Sequence, residues 1–114
     1  MVSNYERQAG NAYNSQDYGK AIKFYDRAIG LTPSVRLYDN RAACYEKLGE
    51  LNHALQDAGK AVQLDRRDPT GFLRAGQILV KRNEKQAALQ TYQRGLKHVH
   101  PASKNYKVCF TPHR

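Results

Sequence analysis

Arg36, Asn40, Ala43 and Lys47 follow one another at intervals of four, three and four residues, and Thr70, Arg74, Gln77 and Lys81 repeat that spacing. On a helix each set falls on one stripe. The chemistry on offer is recognition rather than bond breaking. Arginine carries a planar fork of donors that fits a carboxylate, and asparagine carries a donor and an acceptor that fit the main chain of an extended peptide. Arg7 and Asn11 add a third set if the segment around Gly10 is read in a matching frame.

Other chemistries do not assemble. His53, His98, His100 and His113 are scattered, and His98-x-His100 lacks carboxylate or thiolate company, so surface histidines are the plainer reading. Cys44 falls at a small-residue position where an inert buried thiol is expected, and it shows no paired spacing with Cys109. The AGKA stretch at 58–61 lies inside a helical pattern, not in a loop that could cradle phosphate. No catalytic residue, metal site or cofactor is expected.

Charge points to the kind of partner. The formal net charge is +9, and residues 66–114 carry all of it, because Lys/Arg and Asp/Glu balance over residues 1–65. Such a field attracts acidic partners and fades with salt. Nucleic acid is not the expected one: Phe72 and Tyr92, the aromatics among the cations, are needed for packing, which leaves no stacking platform. No apolar run approaches the length of a membrane span, so no membrane partner is expected. With no apolar leader behind Met1, a cytoplasmic or nuclear location is the expectation.

The elements that position these residues emerge from an internal repeat. DYGKAIKFYDRAIGLTP (17–33), ELNHALQDAGKAVQLDR (50–66) and EKQAALQTYQRGLKHVH (84–100) align, with Ala21, Ala54 and Ala88 in one slot at separations of 33 and 34 residues. Tyr25, Ala58 and Tyr92 follow in a second slot, and Ala28, Ala61 and Gly95 in a third. Matching helices precede the second and third copies, with Tyr38 and Phe72 equivalent, and Ala42 and Gly76 four residues on. Small residues let paired helices approach closely while the aromatics fill the flanks. Gly49 suits a left-handed helix end, and Pro33 and Pro69 mark the breaks between copies.

This pattern resembles the tetratricopeptide repeat, best in the second copy (Tyr38, Ala42, Tyr45, Gly49, Leu51, Ala54, Ala61). The third copy fits through Phe72, Ala75, Gly76, Leu79, Ala88, Tyr92, Gly95 and Leu96. The resemblance implies an all-α chain: three helix-turn-helix repeats, about 2–34, 35–68 and 69–102, stacked as an α-solenoid over residues 2–100. At most a short capping helix is expected in 103–114, although Tyr106, Val108 and Phe110 alternate with polar residues, so a strand or irregular tail stays open. A poorly capped last repeat would leave a marginal monomer or permit self-association.

One frame stays undecided. Gly10-Asn11-Ala12-Tyr13 looks like the first-helix pattern, yet Gly10 lies eleven residues before Ala21 where Gly76 lies twelve before Ala88. Either the turn at 14–17 has lost a residue, or the frame follows Tyr5 and Ala9 and the Gly-Asn match is accidental.

In this family the first helices line a concave groove, so the resemblance implies a non-catalytic, basic, peptide-binding groove. Residues 65–99 look like the last repeat of the module found in fungal F-box proteins, where it recruits partners, replication-fork proteins among them, to a cullin-type ubiquitin ligase. That likeness gives the first functional expectation, a partner-recruiting module of an F-box ligase subunit. The alternative is a co-chaperone module that binds the acidic C-terminal tail of a heat-shock chaperone through a clamp of Lys and Asn, then Asn, then Lys and Arg. Asn40 matches the middle Asn and Arg74 the final Arg; Arg7 and Asn11 match the first pair in the shortened-turn frame, and Thr70 replaces the second Lys. The expected contacts are Asn40 and Arg74, then Arg36, Lys47, Gln77 and Lys81, with Arg7 and Asn11 conditional on the frame.

Overall fold

A computed structural model describes residues 3–99. They form six helices: α1 (Asn4–Asn14), α2 (Tyr18–Leu31), α3 (Val35–Lys47), α4 (Leu51–Leu64), α5 (Thr70–Lys81) and α6 (Lys85–Val99). Among the described residues there is no strand, and no helix is long and apolar enough to cross a membrane. The expectations for 103–114, including a cap and the part of Tyr106, Val108 and Phe110, fall outside the described residues.

Helix starts follow side-chain chemistry. The hydroxyl of Ser3 accepts from the Glu6 amide at 3.0 Å and that of Ser34 from the Leu37 amide at 3.1 Å, while the Asp17 carboxylate accepts from the Lys20 amide at 3.2 Å. Each satisfies a donor that the first turn leaves without an intrahelical partner. Within each helix pair the connection is three residues long, and its middle residue is left-handed: Gln16 at φ 64°, Gly49 at φ 78° and Asn83 at φ 65°. The hydrogen bonds are the same in all three. The middle amide donates to the carbonyl three residues back (Tyr13, Glu46, Val80) and the next amide to the one five residues back (Ala12, Tyr45, Leu79), the arrangement of a Schellman-type helix end.

These turns settle the frame of the first repeat. No residue is missing: Ala9 precedes Ala21 by twelve residues, as Ala42 precedes Ala54 and Gly76 precedes Ala88. Ala9 is fully buried and Tyr5 packs on the same cluster, whereas Gly10 is only half-buried and Asn11 is exposed. The Gly10-Asn11 match is therefore accidental.

Successive helices pack side by side, α3 also touches α5, and the Glu6–Arg36 pair ties α1 to α3, so the first helices of the pairs form one layer. Ala9, Ala21, Ala42 and Ala54 are fully buried at the contacts. At Gly76 a methyl group would collide with the Tyr92 ring, and at Gly71 it would come within 2.8 Å of the Val62 backbone nitrogen. One core cluster joins α1 and α2 to Leu37 and Cys44 of α3; a second joins α3, α4 and α5 through Ala42, Ala54, Ala58, Ala75 and Ile78. Burial pushes the Cys44 thiol up to about 11.

A polar brace crosses this core. Arg41 donates to both oxygens of Asp57 at 2.9 and 2.7 Å and to Asp26 at 2.6 Å, tying α3 to α4 and α2. Asp57 is 2% exposed. Its hydrogen bonds raise the Arg41 pKa, so the guanidinium stays charged inside the fold.

Candidate functional site on the first-helix layer

The repeat sorts the exposed side of α1, α3 and α5 into equivalent slots at 33 and 34 residues: Arg7, Asn40 and Arg74; Gly10, Ala43 and Gln77; Tyr13, Glu46 and Val80; Asn14, Lys47 and Lys81. A cavity of about 510 Å³ opens on this side. Ala43, Lys47, Arg74, Gln77 and Lys81 line it together with Glu46, so five of the residues singled out from spacing come together. Tyr13, Val80 and Tyr92 complete the wall. Tyr92 was expected to serve only in packing; it packs on Gly76 and also faces the cavity.

The charge of the site differs from expectation. Arg74 donates through Nε and Nη2 to Asp39 at 2.8 and 3.3 Å and through Nη1 to Glu46 at 2.6 Å. Glu46 continues to Lys81 Nζ at 3.0 Å. The Asp39 hydrogen bonds, ahead of those from Glu46, raise the Arg74 pKa. The groove is not simply basic: carboxylates from α3 offset the cations of α5.

Asn40 is half-buried beside Tyr25, whose pKa burial pushes up to about 12. Arg36 points elsewhere. It grips Glu6 at 2.6 and 3.1 Å and borders a separate recess of about 250 Å³ between the first two repeats. That pairing holds the Glu6 carboxyl below its usual range. Thr70 donates its hydroxyl to Asp68 at 2.6 Å as part of the turn into α5. Arg7 is exposed in the α1 slot equivalent to Asn40 and Arg74.

Asn11 is not brought to the site. It shares a slot with Cys44 and Ile78, which are buried against the preceding repeat; α1 has no preceding repeat among the described residues, so the slot opens at the end of the stack. There Asn11 lines a recess with Gln8, Lys20 and Phe24. The frame set by the turns also moves the first pair of the clamp back one residue, from Arg7 and Asn11 to Glu6 and Gly10. An acid and a glycine thus stand where Lys and Asn would be needed, and only Asn40 and Arg74 match the five-residue pattern.

Spacing alone missed Asp39 and Glu46, the residues that most alter the site. A signal was present: Asp39, Ala43 and Glu46 lie at intervals of four and three, on the flank of the stripe formed by Asn40, Ala43 and Lys47.

Residues 4–34 and 35–68 match the family model described as tetratricopeptide repeat. The chain belongs to the tetratricopeptide-repeat family. The third helix pair repeats the same turn and packing, and the fold so identified is a non-catalytic protein-interaction fold. Over 99 residues the chain is 44% identical to Hsp70-Hsp90 organizing protein 3 of Arabidopsis thaliana, a match that takes in 85% of this chain and 18% of that protein. It is 35% identical over 104 residues to human serine/threonine-protein phosphatase 5, covering 90% of this chain and 21% of the phosphatase. The chain thus spans only a small part of these relatives.

Among solved structures, the N-terminal domain of stress-induced protein-1 from C. elegans superposes with a TM-score of 0.77 at 26% identity, over 93% of this chain and 88% of that one. The second repeat domain of human RPAP3, in complex with the HSP70 peptide SGPTIEEVD, superposes with a TM-score of 0.75 at 23% identity, over 94% and 89%, a likeness of fold. None of these proteins is named for an F-box or a ubiquitin ligase. The matches side with the co-chaperone likeness, and the F-box expectation gains no support.

Proposed function

We propose that this chain is a co-chaperone-type module that binds the acidic C-terminal tail of an Hsp70 or Hsp90 as an extended peptide across α3 and α5. The observation that carries the reading is the convergence of Lys47, Arg74, Gln77 and Lys81, from two successive first helices, on one cavity of about 510 Å³. Relatives named for organizing Hsp70 and Hsp90, and a similar fold solved with an HSP70 tail peptide, support it.

In this reading Arg74 and Lys81 take ligand carboxylates. Asn40 exchanges its Tyr25 contact for the peptide main chain, and Gln77 and Lys47 bond along the flank. Arg7 contributes from α1 at longer range, whereas Arg36, held by Glu6 at a separate recess, and Asn11 have no part. With Glu6 and Gly10 in the first-pair positions, the grip is one-sided and affinity is modest.

Titration of SGPTIEEVD by calorimetry tests this. Binding with a Kd on the order of 100 μM is expected, weakened at least about tenfold by Arg74→Ala, since a lost charge-assisted bond costs about 1.5–3 kcal/mol. No binding at ~1 mM peptide, or unchanged affinity in Arg74→Ala, overturns the reading.

A further inference from the structure

Arg74 meets the cavity with its charge already matched. Asp39 accepts from two of its nitrogens and Glu46 from the third, and Glu46 reaches on to Lys81 at 3.0 Å. The Glu46 side chain is 5% exposed while that of Lys81 is 56% exposed. The acid is fixed beneath the cations, between the two groups that an arriving carboxylate would seek.

Packing does not demand an acid there. In the equivalent slot the first repeat has Tyr13 and the third has Val80. Asp39 shares its slot with another acid, Glu6, and with Leu73. At the Glu46 slot α1 therefore meets the following repeats with an aromatic side chain, and the Glu46 carboxylate acts on charge. Like charges brought together at a binding site select against a ligand as effectively as new contacts select for one.

We propose that Glu46, assisted by Asp39, is a specificity-determining residue of the groove: its carboxylate occupies the place of a ligand carboxylate between Arg74 and Lys81 and competes with acidic peptides for both. The inference rests on the reading that this face binds an acidic tail. It makes the groove a discriminating one, which a peptide enters only by offering Arg74 and Lys81 more than Glu46 already does.

The test compares SGPTIEEVD with a neutral counterpart, in which Gln replaces both Glu residues, Asn replaces the Asp, and both ends are blocked by acetylation and amidation, on the intact chain and its variants. Glu46→Gln keeps the side-chain length and an acceptor for Arg74 but removes the charge. The folded variant is expected to bind the acidic peptide about tenfold more tightly at low salt, with a steeper loss as salt rises and no gain for the neutral peptide. Asp39→Asn moves affinity the same way by a smaller factor and carries the test if Glu46→Gln does not fold. Unchanged or weaker acidic-peptide binding in both variants, or an equal gain for the neutral peptide, overturns the inference; if Arg74→Ala still weakens binding, the groove reading stands without it. Should Arg74→Ala have no effect, or no form bind, both fall together.

Discussion

The brace around Arg41 and the network around Arg74 use one chemistry in two places. Each guanidinium takes an aspartate with two nitrogens and a second acid with the third. Arg41 sits one residue beyond Asn40, the slot equivalent to Arg74, and one residue turns a helix by about 100°. That step sends Arg41 between α2 and α4, onto an Asp57 whose side chain is 3% exposed, and leaves Arg74 beside the cavity. The first ion pair specifies how repeats pack. The second keeps charge at the surface where a ligand arrives.

Mutations that should separate the two regions come first. Asp57→Ala leaves Arg41 charged and without its main partner in the core, so a stability loss of about 3–5 kcal/mol is expected from denaturant unfolding, with peptide affinity of the folded fraction unchanged. Arg74→Ala is the contrasting case: peptide binding is lost while stability falls by about 1–3 kcal/mol, less than for Asp57→Ala because the buried Glu46 carboxylate keeps Lys81 as a partner. Equal stability losses would erase the distinction. Gly76→Ala presses a methyl group into the Tyr92 ring that walls the cavity. A cost of about 1–3 kcal/mol is expected, together with weaker peptide binding, since overpacking shifts the ring.

Two pH effects sharpen the picture with smaller expected changes. The Cys44 thiol is raised from 9.0 to about 11 chiefly by burial, so the fold favours its neutral form. Stability tied to it is whole below pH 9 and is lost as pH rises toward 11; Cys44→Ala should flatten that alkaline limb in unfolding measurements. Glu6 is depressed below 4.5, mainly by its Arg36 hydrogen bond, so its contribution is present above that pH and fades as pH falls further. Because Arg36 is well exposed, Glu6→Gln should change acid stability by less than about 1 kcal/mol.

Local signals carried much of the fold into the sequence. The 33- and 34-residue periods, the small residues at helix contacts and Gly49 at its turn are short-range features whose physics needs no partner, and they led to the paired helices. The frame of the first repeat was harder to read because its turn uses Gln16 at φ 64°, and the third uses Asn83 at φ 65°, where glycine would have announced the turn. Gly10, which looked like a landmark, has open space around it. At the site, helical spacing found Lys47, Arg74, Gln77 and Lys81. It could not show that Arg74 is matched by Asp39 and Glu46, 35 and 28 residues away, because such pairs depend on how two helices are laid together.

Backbone amide chemical shifts, followed while SGPTIEEVD is titrated into the labelled protein, would locate the ligand most directly. Changes are expected at Ala43, Lys47, Arg74, Gln77 and Lys81, with Asn11 and Lys20 still. Changes centred on Asn11 and Lys20 would place the ligand at the end of the stack and contradict a groove built on α3 and α5.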